Sequence, residues 1–370
     1  MERGRRLIFI VLASALLLVV VAHTNAHKPV TSKYDFNRDV FPVLRDHCGA
    51  CHVEGGPAPM SLMTYKSAMP WAEAIRDELT SGRMPPWPVD PTSPSVKGAH
   101  AITSREINMI VVWASGGTPQ GNDADPPSVT FNPQWKLGPP DLKISMDAEH
   151  TVPSETMEEV REFSLPTNLT DAKWVKGADL MPGSSSIVRD AIISIENGPV
   201  LALWEPGSEP TAAPAGAAFR LAPGSKIHLQ IHYKKTFSQE QSAVSDRSTV
   251  GLYFTDAPSS GQEVQSFTID PAKAGKVAGA AQIVAIRPML DRPYASFNIE
   301  AVTPAGMHIP LLALRGPRPQ WFRRYWLQQP VTLAQGSEIV VSATPLSDLS
   351  DEPKVAARFP LQVSVDYVAQ

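Results

Sequence analysis

Cysteine is the scarcest chemistry-bearing residue in this chain, with two in 370 residues. Both lie in Asp46-His47-Cys48-Gly49-Ala50-Cys51-His52, so no second thiol pair exists to complete a four-cysteine zinc site, and no thiol is left over for a structural disulfide. Charge is also sparse: Asp, Glu, Lys and Arg make up 19% of the residues, with a net of −4. The absence of a basic excess or a basic stripe argues against nucleic acid as a partner. Nor is there a phosphate-binding glycine loop, a dinucleotide fingerprint, a nucleophile elbow or a His-Glu-x-x-His helix, which removes the common nucleotide-dependent, serine-hydrolase and zinc-protease classes. What the chain does have is 43% apolar residues and 36 prolines, the profile of a globular, loop-rich protein long enough for two or three domains.

The amino terminus reads Met1-Glu-Arg-Gly-Arg-Arg6, then an uncharged run from Leu7 to Ala22, then Thr24-Asn25-Ala26. A basic stretch, a short apolar core and small residues are the order of a secretory signal, here residues 1–26. The run Leu7–Ala22 is short for crossing a bilayer, so a membrane becomes a partner only if the segment stays uncleaved and residues 7–22 serve as an anchor.

Cys48-x-x-Cys51-His52 is the spacing that attaches haem covalently. Two thiols one helical turn apart can add to the two vinyl groups of the porphyrin edge, and the adjacent imidazole then lies over the iron. The expected cofactor is therefore one covalently bound haem c, with Cys48 and Cys51 as attachment points and His52 as an axial ligand. A redox dithiol is the competing reading, but it does not call for the following histidine and is found in a βαβ frame. Haem of this type is attached outside the bacterial inner membrane, so the motif and the export signal together place the protein in the periplasm.

Around the motif, residues 27–118 read as a small all-α cytochrome c domain. Asp35 or Asn37 can cap a first helix with Val40, Phe41, Leu44 and Cys48 on one face. Pro70 suits a first turn, followed by Trp71, Ile75 and Leu79 up to Gly82. Thr103-Ser-Arg-Glu106 is a capping box, with Ile107, Ile110, Val111 and Ala114 on one face and a stop at Gly116-Gly117. For the sixth iron ligand, Met60, Met63, Met69, Met84 and Met109 lie in reach. Met84 is the predicted ligand, because Pro85 and Pro86 stiffen a loop that can present its sulfur; His47 and His100 are its rivals. A His/Met pair raises the reduction potential and suits an electron carrier. Trp71 and Trp87 are expected to cover the haem face.

Taken together, Phe36-Asn-Arg-Asp-Val-Phe-Pro-Val-Leu44, Cys48-Gly-Ala-Cys-His52, Gly55-Gly-Pro-Ala-Pro-Met-Ser-Leu62, Tyr65, Trp71, Ile75 and Met84-Pro-Pro-Trp87 resemble a bacterial c-type cytochrome module. Such a module commonly precedes a domain similar to the copper type II, ascorbate-dependent monooxygenases, the peptidylglycine and dopamine hydroxylating group. The resemblance covers essentially the whole mature chain.

Residues 119–140 read as a Pro/Gly-rich linker. Beyond it, Glu162–Leu165, Ile187–Ile195, Lys226–Lys235, Thr249–Phe254, Gln282–Arg287, Ala295–Val302, Glu338–Ala343 and Leu361–Val368 alternate apolar and polar residues between turns, the pattern of antiparallel sandwiches. The resemblance implies tandem jelly rolls, here residues 141–258 and 259–370, making the expected fold multidomain: a small all-α cytochrome c domain followed by all-β tandem jelly-roll sandwiches. It also implies one copper per jelly roll, and the ligands can be sought one by one. Where a His-His pair is implied, the chain has Arg189-Asp190; His232 matches the third histidine; where the second copper's His-Met-His is implied, the chain has Pro288-Met289-Leu290-Asp291 with neither histidine. Arginine is no copper ligand and a lone imidazole holds copper poorly, so copper chemistry is read as lost and His232 as a vestigial ligand. His228 cannot join His232 on one metal, because residues four apart on a strand are separated by about 13 Å.

The resulting expectation is a periplasmic mono-haem cytochrome that transfers single electrons to or from a redox partner protein, its β half being a platform for docking that partner or a small-molecule ligand. Two alternatives stand beside it: a copper-dependent hydroxylase fed with electrons through the haem, and a structural or assembly subunit of a periplasmic redox complex.

Overall fold

The computed structural model describes residues 31–370 except 87, 99–101, 123–128, 130–133, 207–211, 259–261, 274, 322 and 348–356. Residues 1–26, read as a secretory signal with an anchor over 7–22 if uncleaved, lie outside the described residues, as do Trp87 and His100. No helix among the described residues is long and apolar enough to cross a membrane.

The helices are short. A π-helical turn over Phe36–Val40, capped by the Asp35 carboxylate, runs into α1 (Phe41–His47). Then come α2 (Tyr65–Ala68), a 3-10 turn over Met69–Trp71, α3 (Ala72–Thr80) and α4 (Ser104–Ser115), whose Thr103/Glu106 capping box is formed. Their apolar faces meet around Phe36, Leu44, Met63, Ile110 and Trp113.

These helices do not make the expected all-α domain. The protein is mostly β, about 40% strand and 14% helix, and the amino-terminal third is tied into the sheets. Prolines at 85, 86, 88, 91 and 94 deny a helix its interior hydrogen bonds, so the chain after α3 stays extended and adds to the β half. Val89 bridges Leu314 and Val96 bridges Leu327, both antiparallel. The Asp90 and Lys97 N–H groups donate to Ala313 and Trp326 carbonyls at 2.9 and 2.8 Å, Arg315 pairs with Asp90 at 2.8 Å, and the Val96 side chain is buried in a β core.

The strands are β1 (Leu142–Ser145), β2 (His150–Val152), β3 (Glu158–Pro166), β4 (Lys173–Met181), β5 (Val188–Ile195), β6 (Val200–Trp204), β7 (Phe219–Leu221), β8 (Lys226–Lys234), β9 (Val244–Asp246) and β10 (Thr249–Thr255). After them come β11 (Gln265–Ile269), β12 (Gly275–Lys276), β13 (Ala281–Met289), β14 (Tyr294–Val302), β15 (His308–Arg315), β16 (Tyr325–Leu333), β17 (Glu338–Pro345) and β18 (Gln362–Ala369). Among the described residues they form antiparallel sheets of order β3-β8-β5-β6, β1-β10-β4-β7, β11-β18-β13-β16 and β12-β17-β14-β15, with a β2-β9 ribbon. The sheets pair as two sandwich-like layers. Ile227, Leu229 and Ile231 of β8 face Val250 and Leu252 of β10 in one core; Ile283 and Ile286 of β13 face Phe297 and Ile299 of β14 in the other.

The two sandwiches share a seam. Val284, Ala285, Trp326 and Val368 from the second pack into the core of the first. Arg324 crosses the seam, buried, donating to Val200 and Leu201 carbonyls of β6 and pairing with Asp366 of β18 at 2.9 Å. Its guanidinium lies 5.6 Å from the Phe219 ring and 5.0 Å from the Trp326 ring, both within cation–π range. Burial, opposed by Asp366, pushes it down to about 10, so it is charged at neutral pH.

Candidate functional site

Helix α1 ends at Cys48, whose N–H donates to Leu44 at 2.9 Å. The chain then folds back in one tight turn, with Cys51 and His52 N–H groups donating to the Cys48 carbonyl at 3.1 and 2.9 Å. Gly49 permits this turn: a Cβ there would meet the Arg45 carbonyl oxygen at 2.5 Å. Both cysteines are free thiols. Burial pushes Cys48 up to about 12 and Cys51 to about 11, so both are protonated at neutral pH.

His52 is held by its backbone-facing nitrogen. Nδ1 donates to the Met60 carbonyl at 3.2 Å, which selects the tautomer carrying its lone pair on Nε2, the nitrogen a metal would take. Burial lowers the His52 value below 6.5, with the Met60 bond opposing and the Arg189 charge reinforcing, and this keeps the ring neutral as a ligand must be. The donor set therefore suits a covalently attached haem: two unpaired thiols one turn apart and an adjacent neutral imidazole with its far nitrogen free to ligate.

Of the other predicted residues, Met84 is half-buried in the turn after α3, where its N–H donates to Glu78 at 3.2 Å. Met63 is buried, its sulfur 3.2 Å from the position a Gly49 Cβ would occupy, so it lies against the cysteine turn. Trp71 sits on the 3-10 turn and is 37% exposed, which leaves much of its ring in solvent.

Sequence reasoning missed what faces the turn from the β half. The Cys51 thiol donates to the Pro206 carbonyl at 3.5 Å, and Ser185 Oγ donates to the Gly55 carbonyl at 3.0 Å. Beside Pro206, the buried Glu205 carboxylate pairs with Arg323 of the second sandwich at 2.7 Å; burial raises the Glu205 value and Arg323 opposes the rise. A bulge in β5 between Val188 and Asp190 inserts Arg189, whose charge acts on both Cys51 and His52. The cysteine turn thus lies where three parts of the chain meet. No local pattern signals an approach of residues 51 and 189.

His232 lies on the outer face of β8 with His228 and Gln230. Its Nδ1 bonds Asp190 at 2.7 Å and its Nε2 bonds Glu158 at 2.8 Å. Arg358 holds both Asp190 oxygens at 2.7 and 2.9 Å, and Lys234 pairs with Glu158 at 2.8 Å. Both ring nitrogens are engaged by carboxylates within an ion network, so neither is left over for a metal. No group of three or more His, Cys, Asp or Glu side chains among the described residues is arranged to hold a metal ion.

No protein-family model matches the chain, and no curated protein matches it. Among solved structures, a xanthan lyase from Paenibacillus aligns at 12% identity over 68% of this chain and 28% of its own length, with a TM-score of 0.17. A likeness that low carries no argument about fold or chemistry.

Proposed function

We propose that the chain is an exported c-type cytochrome carrying one covalently bound haem and transferring single electrons, with the β half as the platform that docks its redox partner. The observation that carries this reading is the donor set on one turn: free Cys48 and Cys51, and His52 fixed through the Met60 carbonyl with Nε2 left over. A haem bound there supplies a one-electron iron couple.

The chain's own residues do the rest. Cys48 and Cys51 would hold the haem through their thiols and His52 would offer Nε2 to its iron, with the Met60 carbonyl orienting that ring and raising its basicity. Met84 would be the second side chain to ligate the iron, with the buried Met63 as its competitor. Attachment of such a haem takes place outside the bacterial inner membrane, which fits the secretory character of residues 1–26. A net acidic surface favours a partner with a complementary basic patch, an association that weakens with salt. The copper-hydroxylase alternative is disfavoured because His232, the one matching histidine, has both nitrogens committed to Asp190 and Glu158.

The test is a spectroelectrochemical titration of protein matured in a periplasm that attaches c-type haem, together with metal analysis. One reversible one-electron wave and about one iron per chain are expected. A protein that carries copper and no iron, or an iron centre that does not cycle, would overturn the reading.

A further inference from the structure

Among the described residues, Arg189 is the one β-half cation near the attachment turn that forms no ion pair. The neighbouring carboxylates are all committed: Asp190 to Arg358 at 2.7 Å and His232 at 2.7 Å, Glu158 to Lys234 at 2.8 Å and His232 at 2.8 Å, and Glu205 to Arg323 at 2.7 Å. Arg189 forms no ion pair among the described residues, and its Nε is buried without a hydrogen-bond partner. Holding a guanidinium partly out of water with no anion is costly, and its planar fork is suited to a carboxylate. The bulge in β5 that inserts this residue is a device that re-aims one side chain out of the strand's regular alternation. The bulge stands where β5 pairs with β6, with Ala191 opposite Trp204, and Trp204 is followed by Glu205 and Pro206, whose carbonyl the Cys51 thiol contacts.

We infer that Arg189 is a haem-binding residue: its guanidinium takes a carboxylate side chain of the haem held by Cys48 and Cys51, so the first β sandwich completes the haem site. This rests on the proposed haem attachment. It gives the fusion a physical purpose, since the cofactor would be gripped from both sides of the junction and its potential set partly by the β half. Burial lowers the Arg189 value while the carboxylates of Glu158 and Asp190 oppose that, in keeping with a cation that gains from a nearby anion.

The test compares wild type, Arg189→Gln, Arg189→Lys and the control Arg161→Gln, whose arginine is exposed and pairs with Glu159. Covalent haem content, midpoint potential and the resonance Raman band of haem-carboxylate bending are measured on the full-length matured protein. All four are expected to carry haem. Arg189→Gln should shift the reduction equilibrium roughly tenfold toward the oxidised form, about 59 mV lower for one electron, and move the Raman band. Arg189→Lys should keep most of the potential yet still move the band, because an ammonium offers a point charge and no fork; Arg161→Gln should change neither. In the wild type alone, the band should differ from that of the proteolytic haem peptide, whose carboxylates face water. If the wild-type band coincides with the peptide's, or Arg189→Gln leaves potential and band unchanged, the inference is overturned while haem attachment stands. A wild type without haem would instead refute the proposed function.

Discussion

Replacing His232 with alanine removes from the outer face of β8 a ring that bonds both Asp190 and Glu158, and the loss can be worked from the contacts. Its bond to Asp190 is buried, with side-chain exposures of 10% and 8%, whereas its bond to Glu158 is to a carboxylate 48% exposed. A buried hydrogen bond to a charged group contributes about 1.5–3 kcal/mol; the half-exposed one, screened by water, adds at most about 0.5–1 kcal/mol. Asp190 keeps Arg358 and Glu158 keeps Lys234, so neither carboxylate is left bare and the full penalty of a broken buried pair does not apply. The expected cost is about 2–3 kcal/mol. At a urea m-value of roughly 2 kcal/mol/M, the midpoint for the transition of the first sandwich falls by roughly 1–1.5 M, read by tryptophan fluorescence. In parallel, wild type and variant should bind copper equally weakly, because the ring offers no free nitrogen. A midpoint shift under roughly 0.25 M, or copper occupancy that disappears with His232, would refute the ion-network assignment.

Three further outcomes follow from the same contacts. Arg324→Met leaves the wholly buried Asp366 with Arg287, at 3.4 Å, as its remaining cation beside the Ser266 hydroxyl, and is expected to cost about 3–5 kcal/mol and to split the calorimetric transition as the seam loosens; an unchanged single transition would contradict the seam's role. Thr103→Ala removes the hydroxyl that donates to the Glu106 carboxylate at 2.7 Å and accepts from the Glu106 N–H at 3.3 Å, while the Thr103 backbone N–H keeps its bond to that carboxylate, costing about 1 kcal/mol at neutral pH. The bonds to the carboxylate hold the Glu106 carboxyl below its ordinary 4.5, so the unfolded state binds the proton more tightly and their contribution is complete above 4.5 and lost as pH falls through the lower folded value; the gap between the thermal midpoints of variant and wild type should therefore narrow in acid, and a constant gap would count against the assignment. Met84→Ala should abolish the sulfur-to-iron charge-transfer band of the oxidised protein and lower its potential; if the band survives there and vanishes in Met63→Ala, the ligand is Met63.

Local signals were the legible ones. The capping box at Thr103 and Glu106, the proline of the 3-10 turn before α3 and the alternation of β8, with Ile227, Leu229 and Ile231 inward and His228, Gln230 and His232 outward, are all written in neighbouring residues. Strand β4 escaped notice because its consecutive buried residues Gly177–Leu180 give no alternation, and β16 because Pro330 interrupts it. The all-α expectation failed for a physical reason of another kind. Helix signals describe the residues between Asp35 and Ser115 one turn at a time, while the pairing of Val89 with Leu314 and Val96 with Leu327 is a contact between distant parts of the chain that no window contains. The same holds at the candidate site: Cys48, Cys51 and His52 stand together in the sequence, but Met60's carbonyl, Arg189 and Glu205 are brought to them only by folding. The alternation of β8 shows which residues share a face with His232, but its bonds to Asp190 and Glu158 join residues far apart in the sequence.

The account depends most on haem being bonded to Cys48 and Cys51. Intact mass measurement of protein matured in a c-type-competent periplasm, followed by peptide mapping, tests this directly. A single added haem mass that survives denaturation and maps to the peptide containing Cys48–His52 is the predicted result, disappearing in the Cys48→Ser, Cys51→Ser double variant. An unmodified wild-type mass, with both thiols free to alkylate after unfolding, would contradict it.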